Sequence, residues 1–253
     1  MRTIRRRLMR SYANLDIPIE WKDEAVATWA KDKGLTTRRD VAGYTGTIAG
    51  GGGNNLPGGT VRHFPELRWF DSVSTVSFYM WKNLEDVRLP ETLTKLPASC
   101  CRGDVSLRYI DLPMGLESLG EACFYDGCAK LELRRLPPGL KYIGGYCFEG
   151  CTKITVSRIP DGVSQCLIRT FGQCDGIETM TFPAGVTSIA DTYLKSGNLR
   201  WVKMLGALPP SKVGDHVFYG VRAVYVPDDS VDAYKKALSE YRSVIHPMSE
   251  WTE

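Results

Sequence analysis

An apolar residue followed by proline recurs along the chain at nearly constant distance: Leu89-Pro90, Leu112-Pro113, Leu136-Pro137, Ile159-Pro160 and Phe182-Pro183. Successive prolines stand 23, 24, 23 and 23 residues apart. Other apolar columns keep the same beat. Three residues after each proline come Leu93, Leu116, Leu140, Val163 and Val186, and six after come Leu96, Leu119, Ile143, Cys166 and Ile189. Eleven after come Cys101, Phe124, Phe148, Phe171 and Leu194. Six before each proline stand Leu84, Leu107, Leu131, Ile154 and Ile177, a column that Leu199 continues. Independent columns do not share a period by chance, so the chain is built of repeats. The pattern reaches back to Phe64-Pro65 and, blurred at Leu205-Gly206, forward to Val226-Pro227, which makes six or seven turns.

A unit this short cannot bury its apolar residues alone. Neighbours must stack, and each column becomes a ladder through one continuous core. The segments before the prolines (LRYIDL, LELRRL, ITVSRI, IETMTF) read as short strands. Proline ends each of them because it cannot donate to a ladder, and a following glycine permits the turn. The expected fold is therefore a solenoid of short parallel strands, mostly β, with the phenylalanine of GEACFYDGC or GGYCFEGC plugging the opposite side of the core.

Two units, PMGLESLGEACFYDGCAKLELRRLP and PGLKYIGGYCFEGCTKITVSRIP, carry a more specific signature. They resemble the BspA-type leucine-rich repeats of Bacteroidetes and some protozoa, whose unit reads roughly L-x-x-I-x-I-P-x-x-V-x-x-I-G-x-x-A-F-x-x-C. The resemblance covers residues 62–228, and Phe64, Glu66, Leu67 and Phe70 are similar to the segment that opens such proteins. Four positions depart from it. Cys166 replaces an isoleucine, Cys101 replaces the phenylalanine, and Arg134 and Ser157 stand where a strand normally points isoleucine inward, so looser turns are expected there. The resemblance implies a non-catalytic, surface-exposed or secreted module for adhesion or host-protein binding in a Bacteroides-like bacterium. The ligand would be a protein or a surface glycan.

Outside the repeats the period changes. Residues 19–33 form an amphipathic helical pattern with Ala25, Val26, Trp29 and Ala30 on one face, Gly34 as a terminator, and Thr36 or Thr37 as the cap of a second short helix. GGGGNN at 50–55 reads as a hinge or loop. After Val226-Pro227, Asp229 or Ser230 caps a helix carrying Val231, Tyr234, Leu238 and Tyr241, a natural cover for the last turn, with VIHPM returning as an extended strand. The chain is thus expected to divide into an N-terminal helical segment with a Gly-rich linker (1–60), repeats (61–228), and a capping helix with its tail (229–253). In related proteins an acidic, calcium-loop-like segment often occupies the N-terminal position. KDKGLTTRRD lacks alternating Asp and Asn ligands, so no calcium is expected there.

Charge changes the picture little. The net charge is +3, with Arg2, Arg5, Arg6, Arg7 and Arg10 crowded at the start. These arginines are either a solvated tail or an anchor, led by Arg5, Arg6 and Arg7, that docks onto an acidic partner; the overall balance does not favour nucleic acid. No apolar run approaches the ~20 residues of a membrane span. The basic start has no apolar segment behind it and does not read as a secretion signal, so cytoplasmic and virion-borne locations stay open beside the cell surface. That start also motivates a second reading, as a structural or receptor-binding component of a phage or prophage particle.

Candidate chemistry is sparse. Cys100, Cys123 and Cys147 share one repeat column, and Cys128, Cys151 and Cys174 another. Stacked small apolar side chains in a narrow core account for them; disulfides, which rung spacing does not forbid, and metal, for which the C-x4-C and C-x3-C spacings depart from the C-x2-C pairs zinc prefers, are the alternatives. The three histidines, His63, His216 and His246, share no column with a cysteine, and no nucleophile elbow or metalloprotease motif is present. The chain is expected to be no enzyme and to need no cofactor. Ligand recognition is expected on the strand face. There one outward column reads Glu85, Arg108, Glu132, Thr155, Glu178 and another Arg88, Asp111, Arg135, Arg158, Thr181. Arg88, Arg108, Tyr109, Arg135, Arg158 and Trp201 are its candidate contact residues.

Overall fold

The computed structural model describes residues 15–49, 56–191, 193–194 and 197–252, which leaves Arg5, Arg6 and Arg7 and the 50–55 glycine run outside it. The N-terminal segment opens with α1 (Glu24–Asp32). It begins five residues later than the sequence pattern suggests. Asp23 supplies the cap, its carboxylate accepting from the Ala25 and Val26 amides, while the Ile19 amide bonds back to the Thr36 carbonyl (2.9 Å). Gly34, at φ 70°, turns the chain just beyond the helix. Thr37 caps α2 (Arg38–Ala42) and forms a capping box with Asp40. Then follow β1 (Ile48–Ala49), β2 (His63–Phe64), a 3-10 turn at Pro65–Trp69 and β3 (Val76–Ser77), which pairs in parallel with β1.

This segment covers the first turn. Trp29 of α1 stacks on Phe70 with centroids 6.3 Å apart, and Tyr44 and Phe64 meet the same ring edge-on. The Asp23 carboxylate also accepts from the Arg62 amide (2.7 Å), and Glu66 accepts from the Lys22 amide (3.1 Å). The apolar face of α1 and the first rung therefore belong to one core.

The repeats continue with β4 (Asp86–Arg88), β5 (Lys95–Leu96), β6 (Tyr109–Asp111), β7 (Ser118–Leu119), β8 (Tyr142–Ile143) and β9 (Gln165–Cys166). Next come β10 (Thr179–Phe182), β11 (Ser188–Ile189), β12 (Trp201–Met204), β13 (Lys212–Val213) and β14 (Ala223–Val226). One side of the solenoid carries the strands that precede the prolines, in the parallel sheets β2-β4-β6 and β10-β12-β14. The return side carries β5-β7-β8 and β9-β11-β13. Between the two sides the expected columns are buried, Leu112 of the pre-proline column being only half-buried. Phe124, Phe148 and Phe171 stack face to face, with centroids 5.2 Å apart at each step and planes 7° and 9° from parallel.

All eight cysteines are free and buried. Their columns are hydrogen-bonded as well as apolar. The thiol of Cys128 donates to the Cys101 carbonyl (3.1 Å), Cys151 to Phe124 (3.5 Å) and Cys174 to Phe148 (3.0 Å), each reaching one rung back. Asp104 takes the place of cysteine in this column. It is wholly buried; one oxygen accepts from the Trp81 amide (2.8 Å) and the other has no partner. Burial pushes its carboxyl up to about 8.

Two expected strands do not form. LELRRL and ITVSRI hold no ladder strand, only a single parallel bridge between Arg158 and Thr181. In regular rungs the residue three before proline turns inward: Val87, Ile110 and Met180 are buried. In these two, Arg134 and Ser157 are exposed and the preceding Leu133 and Val156 are buried instead. A side-chain period of two cannot accommodate both patterns in one straight ladder, so the face splits into two sheets at residues 131–159.

At the far end α3 (Val231–Ala237) closes the core. Its Tyr234 is fully buried and donates its hydroxyl proton to the Gly206 carbonyl (2.9 Å). The cap residue is Ser230, whose hydroxyl donates to Ala207 (2.8 Å) rather than capping the helix. The expected return strand is β15 (Ile245–Pro247), paired in parallel with β14.

A mixed-charge strand face with a groove at its break

The outward positions of β4 and β6 are charge-paired across rungs. Arg108 Nε lies 2.8 Å from Glu132 Oε1, Arg62 lies 3.7 Å from Glu85, and Arg88 is the register partner of Asp111. The Arg108 guanidinium also sits over the Tyr109 ring (5.1 Å), and that ring is 47% exposed. Tyr109 thus presents a large amphipathic surface held at its edge by a cation.

Trp201 is set apart from this group. It meets Trp251 edge-on at 6.4 Å, and Trp251 packs against Tyr225 (5.0 Å) and under the Lys203 ammonium (3.7 Å). The tail folds back over the end of the face and partly covers it there. Nothing periodic in the sequence marks Trp251 as that cover.

Arg135 and Arg158 are brought together. They line a shallow groove of about 340 Å³ with Arg134, Ser157 and the apolar Leu136, Pro138 and Pro160. Arg158 is paired with Asp161 (2.7 Å), whereas Arg134 and Arg135 have no ion-pair partner among the described residues. The amides of Arg134, Arg135 and Leu136 likewise make no hydrogen bond to described protein atoms. Arg134 was not among the candidates read from the sequence. Its signal was there as a charged residue in an inward column; turned outward by the register change, it becomes a groove residue.

A larger cleft of about 900 Å³ runs between α3 and β13. It is the seam of the C-terminal cap, bridged by the Tyr241 hydroxyl donating to the Asp215 carbonyl, and its charges are mixed: Lys212, Asp215 and Glu240.

The cysteine thiols are all buried. Burial pushes the Cys166 thiol up to about 12 and raises Cys128, Cys151 and Cys174 as well. His63 is bonded to Asp86, His216 to Asp191 (3.4 Å) and His246 to Glu250 (3.1 Å), so each histidine partners a carboxylate. Burial raises the Asp86 carboxyl, but the bonds from His63 and Lys22 outweigh it and leave the group below its ordinary value. That cluster fastens the N-terminal segment to the first rungs. No helix among the described residues is long and apolar enough to cross a membrane.

The model of the BspA-type leucine-rich repeat region matches residues 71–200 in six copies. Among solved structures, a leucine-rich cell surface protein from Faecalibacterium prausnitzii superposes with a TM-score of 0.54 at 22% identity, over 62% of this chain and 43% of that one. A leucine-rich repeat protein from Bacteroides ovatus gives 0.50 at 18% identity, over 72% and 54%. The chain therefore spans about half the length of these structures, and likeness at that identity speaks for the fold alone. No curated protein matches the chain.

Proposed function

Since the chain belongs to the BspA-type leucine-rich repeat family, we propose that it is a non-catalytic binding and adhesion module whose strand face engages a protein on a host cell or cell surface. The observation that carries this reading is the exposed Tyr109 gripped by Arg108 beside the outward Arg88 and Asp111, on a face whose backbone is fixed by the ladder. Aromatic and arginine side chains are the residue types that dominate protein interfaces. A rigid ladder presents them at little entropic cost. The raised, buried thiols of Cys128, Cys151, Cys166 and Cys174, and histidines that share no repeat column with a cysteine, support a binding role over a catalytic one.

The test is adhesion of purified protein to immobilised host cells. Native protein should bind saturably. Tyr109→Ala with Arg108→Glu should lower binding at least tenfold, while charge reversal of Lys95 and Lys141 on the return side should leave it unchanged. Equal loss from both sides, or none from either, overturns the assignment of the face.

A further inference from the structure

The break in the ladder does more than interrupt a regular surface. Within the ladders the strand amides bond to the neighbouring strand. At residues 134–136 they do not, and the same three residues bring two guanidinium groups that form no ion pair among the described residues, the one acid lining the groove, Asp161, being taken by Arg158. Across the groove stand Arg158 and the Ser157 hydroxyl, over a floor of Leu136, Pro138 and Pro160. Unpaired amides next to arginine forks form a cradle for an oxyanion, because both present N–H donors to it and guanidinium matches a carboxylate with two parallel bonds.

We propose that this groove is a carboxylate subsite that captures an extended acidic and apolar peptide segment of a partner protein. The inference rests on the strand face being the binding face and names the chemistry taken at one place on it. Charge decides between anion classes. Three arginines less the single Asp161 leave the groove with a small local excess, enough for one or two carboxylates. The flanking rungs carry Asp111 and Glu178, and Glu132 stands on the groove's own rung in an ion pair with Arg108, so a long polysulfated glycan would meet carboxylates along the face. Such a polyanion requires a continuous basic track, and this face does not offer one. The apolar floor suits leucine or valine side chains flanking the acidic residue, a contact that a sugar ring bearing sulfates would waste.

The probe is a fluorescein-labelled peptide of alternating glutamate and leucine, titrated with the full chain at low salt and read by anisotropy. Its glutamine–leucine analogue and a heparin-derived oligosaccharide serve as the other arms. The glutamate peptide should bind, its affinity should fall with added salt, and the glutamine analogue should bind at least tenfold more weakly. Arg134→Glu with Arg135→Glu should abolish binding, and the milder Arg134→Gln with Arg135→Gln should weaken it about tenfold, the loss expected for a charge-assisted pair. Arg62→Glu, elsewhere on the face, should change nothing. Both arginines are exposed, so the melting curve of each variant should overlay the native one. Equal binding of the glutamine analogue, tighter binding of the oligosaccharide, or indifference to the arginine variants overturns the proposal. If peptide capture fails while host-cell adhesion still depends on Tyr109 and Arg108, only the subsite is wrong. If the native protein does not adhere at all, the broader reading fails with it.

Discussion

The two ends of the strand face and its middle are made of the same repeat and behave differently. At β2-β4-β6 and β10-β12-β14-β15 the strands are joined in parallel ladders, and at the first of these ends Arg62 and Arg108 pair with acids across rungs. At residues 131–159 the ladder lapses, two guanidinium groups lose their partners and a groove opens. Yet the core beneath is at its most regular there, since the Phe124–Phe148–Phe171 stack passes directly under the break. The solenoid tolerates a surface discontinuity because its stability comes from the buried columns, with the ladder of the face contributing less. A repeat protein can therefore vary one rung's exterior for recognition without losing the period of its interior.

The strongest way to break that comparison is to attack the core under the lapse. Phe148→Ala empties a fully buried position between two parallel rings and should cost about 3–5 kcal/mol in urea unfolding. A loss below about 1 kcal/mol would mean that the middle of the solenoid is not held from below and that its groove is simply a loose turn.

The regular end carries a defect of its own, hidden rather than exposed. Asp104 sits in the column that Cys128, Cys151 and Cys174 continue, with one carboxylate oxygen unpartnered. Its carboxyl is raised to about 8 by burial, against an ordinary value near 4. Between those values the folded chain holds a proton that the unfolded chain has released. Its contribution is thus complete below pH 4 and is lost as pH climbs to about 8. Native protein should be less stable at pH 8.5 than at pH 5 by a few kcal/mol. Asp104→Asn should flatten the profile over that range, and Asp104→Cys, which restores the column residue, should match or exceed native stability at the alkaline end. A native profile that rises across the interval would place the ionised carboxylate in a solvated site and remove Asp104 from the core column.

Much of this was legible in the sequence, for a physical reason. Each buried column repeats on its own, so the period, the parallel stacking, the phenylalanine plug and the cysteine rungs could be read without knowing how they touch. Both caps were legible too, because a change from the repeat period to a helical one marks them. What failed depends on a change of residue type within a column or on tertiary contact. Arg134 and Ser157 were visible as misfits, but the sequence does not say whether Leu133 or Arg134 turns inward; that is decided by the rungs on either side. Asp104 keeps the spacing of its column, 14 residues after Pro90 as Cys151 and Cys174 are after Pro137 and Pro160, and escaped notice because its residue type breaks with the cysteines. Counted back from Leu107, Leu131, Ile154 and Ile177, it aligns with the cysteines. Trp251 over Trp201 has no period to betray it, being a single contact between a tail and a strand.

The register change itself can be put to the test with a smaller expected effect. Exchanging the identities at the two positions of both irregular rungs gives Leu133→Arg with Arg134→Leu, and Val156→Ser with Ser157→Val. The exchange conserves composition and moves the apolar residue to the place that Val87, Ile110 and Met180 occupy in regular rungs. The ladder should then run unbroken. Amides at 134–136 should gain hydrogen-exchange protection while overall stability shifts by no more than about 1–2 kcal/mol in either direction. If protection does not rise, the break is imposed by the neighbouring rungs and not by the residue order. The smallest effect belongs to the regular surface. Arg108→Glu places a third acid between Glu85 and Glu132, yet all three side chains are exposed, so the melting temperature should move by no more than roughly 3 °C. Collapse of the fold on that single reversal would show the face to be buried against something, and the contrast between a closed surface and an open groove would no longer hold.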